Sequence, residues 1–127
     1  MNFKEDKQHL IHYLFHNLID AGIITSGNEY STNILGKSAT YYHVQKMDNY
    51  DLTFESTMNA IIAILKLKRK YEAQNPKLGY IHTEKITILE HCETKLREYL
   101  RVKYRVAEIV EEVSTIYEDS DFYGIII

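Results

Sequence analysis

Apolar residues recur at helical spacing along most of the chain. Leu10, Leu14, Leu18 and Ala21 form one stripe, with Ile11, Phe15 and Ile19 beside it. This predicts a first helix from about Lys4 to Ala21, closed by Gly22. Ser26-Gly27-Asn28-Glu29 has the S-x-x-E form of a capping box, so a second helix is expected to start at Gly27 and end before Gly36. Ser38 is then placed to cap a third helix carrying Tyr41, Tyr42, Val44 and Met47, and Asn49-Tyr50-Asp51 reads as a turn. A fourth helix from about Thr53 to Gln74 sets Phe54, Met58, Ile61, Ile62 and Leu65 on one face.

The run Asn75-Pro76-Lys77-Leu78-Gly79 is the strongest breaker in the chain. Beyond it, Leu89, Cys92, Leu96, Tyr99, Lys103, Val106, Val110, Val113 and Tyr117 step by three and four without interruption. They predict one long helix from about Thr83 to Glu118. Ile88, Val102, Ile109 and Ile116 broaden its seam, which suits a bundle or a dimer better than a narrow two-stranded coil. The expected fold class is all-α: a bundle of about four helices over residues 1–74, a linker or turn at 75–82, and a long helix with an apolar end over 83–127. Leu89, Leu96, Tyr99, Val106, Val110, Val113 and Tyr117 are the expected dimerisation residues. The apolar end Phe122-Tyr123-Gly124-Ile125-Ile126-Ile127 is expected to dock on the body or on a partner subunit.

Composition narrows the class further. With 127 residues and 45% hydrophobic content the chain can bury a real core, which argues against wholesale disorder. The longest apolar run, Ala60 to Leu65, is far short of the roughly 20 residues a membrane span needs. The polar start of the sequence lacks a secretory apolar region, and the single cysteine, Cys92, rules out an internal disulfide. A soluble cytoplasmic protein is expected.

The layout of a capped short helix, a tight turn at Leu35-Gly36 and a second short helix is that of a helix-turn-helix, whose second helix enters the major groove. Residues 38–47 are the expected recognition helix. Lys37, Ser38, Thr40, Tyr41, His43, Gln45 and Lys46 are the candidate DNA-contacting residues, because Gln pairs with adenine and Lys reaches phosphate or guanine. The sequence from Gly36 to Met47 holds two basic residues and no acidic one.

The block Ser26-x-x-Glu29-Tyr30-Ser31, then Leu35-Gly36-Lys37-Ser38-x-Thr40-Tyr41, then Leu52 and an apolar helix ending in Leu65, resembles Cro-type, lambda-repressor-like regulators. It is similar above all to small uncharacterised bacterial and phage members of that group. The resemblance covers about residues 8–66 and implies a dimeric DNA-binding domain of four or five helices. In the common pattern a small residue, usually alanine, stands four before the turn glycine. Thr32 stands there in this chain, with Ser31 before it in place of leucine. Lys37 replaces an apolar residue after the glycine, and the spacing from Glu29 to Gly36 is one residue longer.

Other chemistry has less behind it. His9, His12 and His16 share a helical face with Asp20, but His9 and His16 lie roughly 10 Å apart along the axis, too far to share one ion. A polar surface is the expected reading, with no metal and no cofactor. Cys92 lies on the apolar seam as a small core residue, and no nucleophile elbow, phosphate-binding glycine loop or zinc-protease motif occurs. No enzyme is expected. Of the adjacent pair Tyr41 and Tyr42, Tyr42 is expected to pack inward and Tyr41 to face outward.

Two functions follow as expectations. The first is a homodimeric DNA-binding transcriptional regulator of bacterial or phage type. The second is a protein–protein interaction module, such as a phage-type inhibitor or adaptor, on a helix-turn-helix scaffold that does not bind DNA. The net charge of −3 is unevenly spread: residues 106–127 hold six acidic groups and no basic one. The remainder is therefore net basic, which leaves the N-terminal part free to meet phosphate.

Overall fold

The structure, a computed structural model, describes residues 9–48 and 50–104. Every regular element among them is helical. Helix α1 spans Leu10–Asp20. Helix α2, Gly27–Glu29, runs directly into a π turn at Tyr30–Ile34. Helix α3 spans Tyr41–Asp48 and α4 spans Phe54–Gln74. A 3-10 turn at Asn75–Lys77 leads to α5, Thr83–Tyr99, which ends in a second π turn at Leu100–Tyr104. No described helix is long and apolar enough to cross a membrane.

Local chemistry accounts for most of these boundaries. Ser26 Oγ accepts the Glu29 N–H at 3.1 Å, as a capping serine should. Glu29 reaches back one residue further than the standard box, accepting from Thr25 N–H at 2.7 Å and Thr25 Oγ at 2.9 Å. Thr53 opens α4 by accepting the Ser56 N–H at 3.1 Å. Helix α1 has no side-chain cap from its own N-cap residue, His9. Its cap comes from 40 residues away: Asp51 accepts Leu10 N–H at 3.1 Å and Ile11 N–H at 3.0 Å. The carboxylate thereby satisfies two orphan donors and meets the positive end of the helix dipole.

A single apolar core runs through all the long helices. It joins Ile11, Leu14 and Leu18 of α1 to Ile61, Ile64 and Leu65 of α4 and to Leu89, Cys92 and Leu96 of α5. Helices α4 and α5 pack along each other as a hairpin, and α1 lies against α5. Residues 75–82, expected as a linker or turn, form the hairpin turn between α4 and α5. Asn75 organises that turn, accepting His82 N–H on its side chain at 2.8 Å and Tyr80 N–H on its carbonyl at 2.8 Å.

Two expectations about packing are corrected. Leu89 and Leu96, placed at a subunit seam from sequence, are wholly buried within the chain's own core. Tyr99, from the same stripe, is half-buried, and its hydroxyl donates to Leu52 O at 2.9 Å. The reason is the fold-back of α5 onto α4, which consumes the stripe that periodicity had offered to a partner. The buried face of α4 is likewise turned from the expected one. It carries Ser56, Thr57, Ala60, Ile61, Ile64, Leu65 and Tyr71, while Phe54 is exposed and Met58 and Ile62 are half-buried. Val106, Val110, Val113, Tyr117, the stretch to Glu118, the apolar end and Lys4–Gln8 lie outside the described residues.

Replacing the Asp51 carboxylate should uncap α1. Asp51→Ala is expected to lower stability by about 1–2 kcal/mol in chemical denaturation, with an unchanged denaturant slope. An Asp51→Ala variant as stable as the parent would show that the cap contributes nothing.

Candidate nucleic-acid interface

The candidate interface is built on α3, whose hold on the body centres on one residue. Tyr42 is the only buried side chain of its eight. Its ring lies 5.0 Å from that of Tyr30, edge to face, and 4.7 Å from that of Phe15. Its hydroxyl is 3.0 Å from His12 Nδ1. Burial raises the Tyr42 phenol to about 12, so it stays protonated, beside an imidazole whose basicity burial lowers.

The second hold on α3 is a serine. Ser31, fully buried, accepts the Tyr42 N–H on its Oγ at 2.9 Å and donates that hydroxyl to Gly27 O at 2.9 Å. One side chain thus satisfies a first-turn N–H of α3 and ties α3 to the start of α2. Gly27 completes the joint, because a Cβ there would stand 3.2 Å from the His43 ring. The turn between the helices depends on Gly36, at φ +68°, where a Cβ would also come within 2.6 Å of the Asn59 side chain. Asn59 holds that turn by donating to Leu35 O at 2.9 Å.

The π turn explains an oddity of spacing. Its one extra residue is absorbed by the wider coil, with Leu35 N–H reaching Tyr30 O at 3.0 Å, an i to i+5 bond. In consequence the small buried residue facing α3 is Ser31, five before Gly36, whereas Thr32 is exposed. Sequence spacing alone had assigned that place to Thr32.

The seven candidate residues do not share one face. Ser38, Thr40, His43 and Lys46 are exposed, whereas Lys37, Tyr41 and Gln45 are half-buried. Lys37 makes an ion pair with Glu55 at 2.5 Å and lies over the Tyr41 ring. The Tyr41 hydroxyl accepts from Ser56 Oγ at 3.4 Å, which turns this tyrosine toward α4. Gln45 has its Oε1 buried without a hydrogen-bond partner, so it sits against the body rather than at the front of α3. Lys46 lies close enough to His12 to depress its basicity. Two residues absent from the candidate set stand at the front instead: Val44, 51% exposed, and Met47, 84% exposed. Their apolar character had marked them as packing residues, and only the position of Tyr42 shows that they point away.

The chain matches the model of a "Family of unknown function (DUF6626)" over residues 11–111. The chain belongs to that family. No curated protein and no solved structure matches it. The DUF6626 match takes in α1 from Ile11 onward and α2 to α5 complete, so α3 and its serine joint fall within the family's span.

Elsewhere the fold offers little for chemistry. An open groove of about 310 Å³ lies between the π turn and α4, and its only charged lining residues are Glu55 and Lys66. Cys92 is fully buried and its thiol is pushed up to about 12, the opposite of an activated nucleophile. Among the described residues no three His, Cys, Asp or Glu side chains are grouped to hold a metal ion.

Two outcomes are expected for this site. Ser31→Ala leaves the Tyr42 N–H without its partner and should cost about 1–3 kcal/mol of stability. Equal denaturation midpoints for parent and variant would remove the serine joint. Burial, reinforced by His9, holds His12 below its ordinary 6.5, with Asp51 opposing and His16 and Lys46 adding to the shift. The unfolded ring therefore protonates first as pH falls. The stabilising contribution is complete above 6.5, is lost as pH falls below it, and is constant again below the folded value. Thermal melting between pH 7.5 and pH 5 should show this loss, and His12→Gln should flatten it. An identical pH profile in His12→Gln would exclude His12 as its source.

Proposed function

We propose that this chain is a helix-turn-helix protein that binds duplex DNA through α3 and regulates transcription as a homodimer, in a bacterial or phage cytoplasm. The observation that carries the reading is the way α3 is mounted. A helix of eight residues with one buried side chain, and with Tyr41 and Gln45 half-buried beside it, leaves its other five side chains exposed to solvent. The short helix before it, the glycine turn at positive φ and the small residue wedged between the two helices match the layout in which a second helix is offered to the major groove.

The resemblance to Cro-type regulators over residues 8–66 supports the same reading, and placing Ser31 as the wedge removes its main departure in spacing. The dimer is proposed to rest on Val106, Val110, Val113 and Tyr117, members of the apolar stripe that lie outside the described residues. In such a dimer the two α3 helices stand about 34 Å apart, to meet successive major grooves.

A specific observation also favours the second reading, a protein-binding module. Lys37 is neutralised by Glu55, and the front of α3 bears Val44 and Met47 rather than a basic cluster.

Fluorescence anisotropy on a mixed-sequence duplex separates the two. Binding at low salt is expected, with log affinity falling linearly against log salt concentration. Lys46→Glu should weaken it about tenfold. Absence of duplex binding at low salt, together with stoichiometric capture of a protein partner, would favour the module instead.

A further inference from the structure

We propose that the homodimer forms by mutual exchange of acidic segments, residues 106–121 of each copy lying along the α4–α5 hairpin of the other. The proposal rests on the homodimer of the reading above and names the surface that its apolar stripe meets.

The receiving face begins with apolar residues that the chain leaves half-open. Phe54, Met58 and Ile62 step by four along α4, so they share one side of the helix. Phe54 is 38% exposed, and the other two are half-buried. The open groove beside the π turn continues from the end of this stripe, where Ile62 and Lys66 line it. On α5, Glu93 joins Lys68 of α4 at 3.4 Å to Arg97 at 2.8 Å, so this edge of α5 adjoins α4. Arg101 and Tyr104 continue the edge at spacings of four and three. There the Tyr104 ring meets that of Phe54 at 5.5 Å.

Two contacts thus bracket the face, Phe54 with Tyr104 at one end and Lys68 with Glu93 at the other. Between them α4 and α5 carry six basic residues and three acidic ones. Two of the acidic residues are already matched, Glu55 by Lys37 and Glu93 by Lys68 and Arg97. The third, Glu98, is exposed. Lys66 and Arg101 are also exposed, and neither makes an ion pair among the described residues.

The same sequence supplies the complement to this face. Residues 106–121 hold six acidic groups and no basic one, interleaved with Val106, Ile109, Val110, Val113 and Ile116. Apolar side chains at that spacing match the open stripe, and the carboxylates match its basic rim. Two observations give the face to a second copy rather than to the segment's own chain. From Tyr80 to Tyr123 the sequence holds neither glycine nor proline, so neither strong turn residue is present to fold the segment back. In addition, α4 starts at Phe54, level with Tyr104, so the hairpin has no further α4 residue on which the segment could lie. In a two-fold dimer the contact occurs twice, each copy giving one segment and receiving one.

Sedimentation equilibrium on the full chain tests the exchange. The parent should be a dimer whose dissociation constant rises with salt concentration. Lys66→Glu/Arg101→Glu reverses two exposed cations, and Glu108→Lys/Glu111→Lys/Glu112→Lys reverses three carboxylates of the segment. Each variant alone should dimerise about tenfold more weakly or worse. Mixed in equal amounts, the two should form a heterodimer of parental strength, because both of its contacts again pair opposite charges. Such recovery also shows that both variants are folded. A dimer unchanged by Lys66→Glu/Arg101→Glu would overturn the proposal and leave the homodimer standing. Variants that weaken alone and stay monomeric when mixed would overturn it too, and would assign the segment to its own chain. A parent that sediments as a monomer would overturn both the exchange and the homodimer. Duplex binding is read separately by anisotropy, so its failure is distinguishable from failure of the exchange.

Discussion

The arrangement depends on Tyr42 more than on any other single contact. It is the one fully buried residue of α3, and the groups around it come from two separate elements. Phe15 and His12 come from α1, Tyr30 from the π turn and Ser31 from the same turn, one position on. A helix with a single buried residue would ordinarily rotate about that point. Here the backbone N–H of Tyr42 is fixed by Ser31 while its hydroxyl is fixed by His12, so the residue is held at both ends. The two bonds together set the direction in which the other side chains of α3 point.

This double attachment places an ionisable group under the presenting helix. The basicity of His12 is lowered by partial burial and by His9, with Asp51 opposing and His16 and Lys46 adding to the shift. The same Asp51 caps α1. The loop after α3, the start of α1 and the ring beneath Tyr42 therefore form one electrostatic unit, and no charge in it can be altered without affecting the others.

Much of the helical architecture was legible in the sequence. The capping residues Ser26 and Thr53, the stop at Gly22 and the break at Pro76 all mark real boundaries, because each acts through a local backbone requirement. What escaped was non-local or cancelled by polarity. Ser56 and Thr57 are buried on α4 because their hydroxyls find partners at Thr53 and Tyr41, and a count of apolar residues passes over them. The π turn shifts the wedge from Thr32 to Ser31, and no residue type marks a π turn in advance. Val44 and Met47 look like core from composition and lie at the front because α3 touches the body on one side only. Leu89 and Leu96 show the reverse: their spacing was read correctly as a seam, but the seam closes within one chain.

The cap on α1 has a consequence for how the chain is made. Leu10 leaves the ribosome 41 residues ahead of the aspartate that accepts its N–H. Until then α1 is an uncapped segment of 11 residues, below the roughly 12–15 at which an isolated helix becomes even marginal in water. The first helix in the sequence is thus not the first that can persist during synthesis. Its start is secured only once the loop that closes α3 has been made.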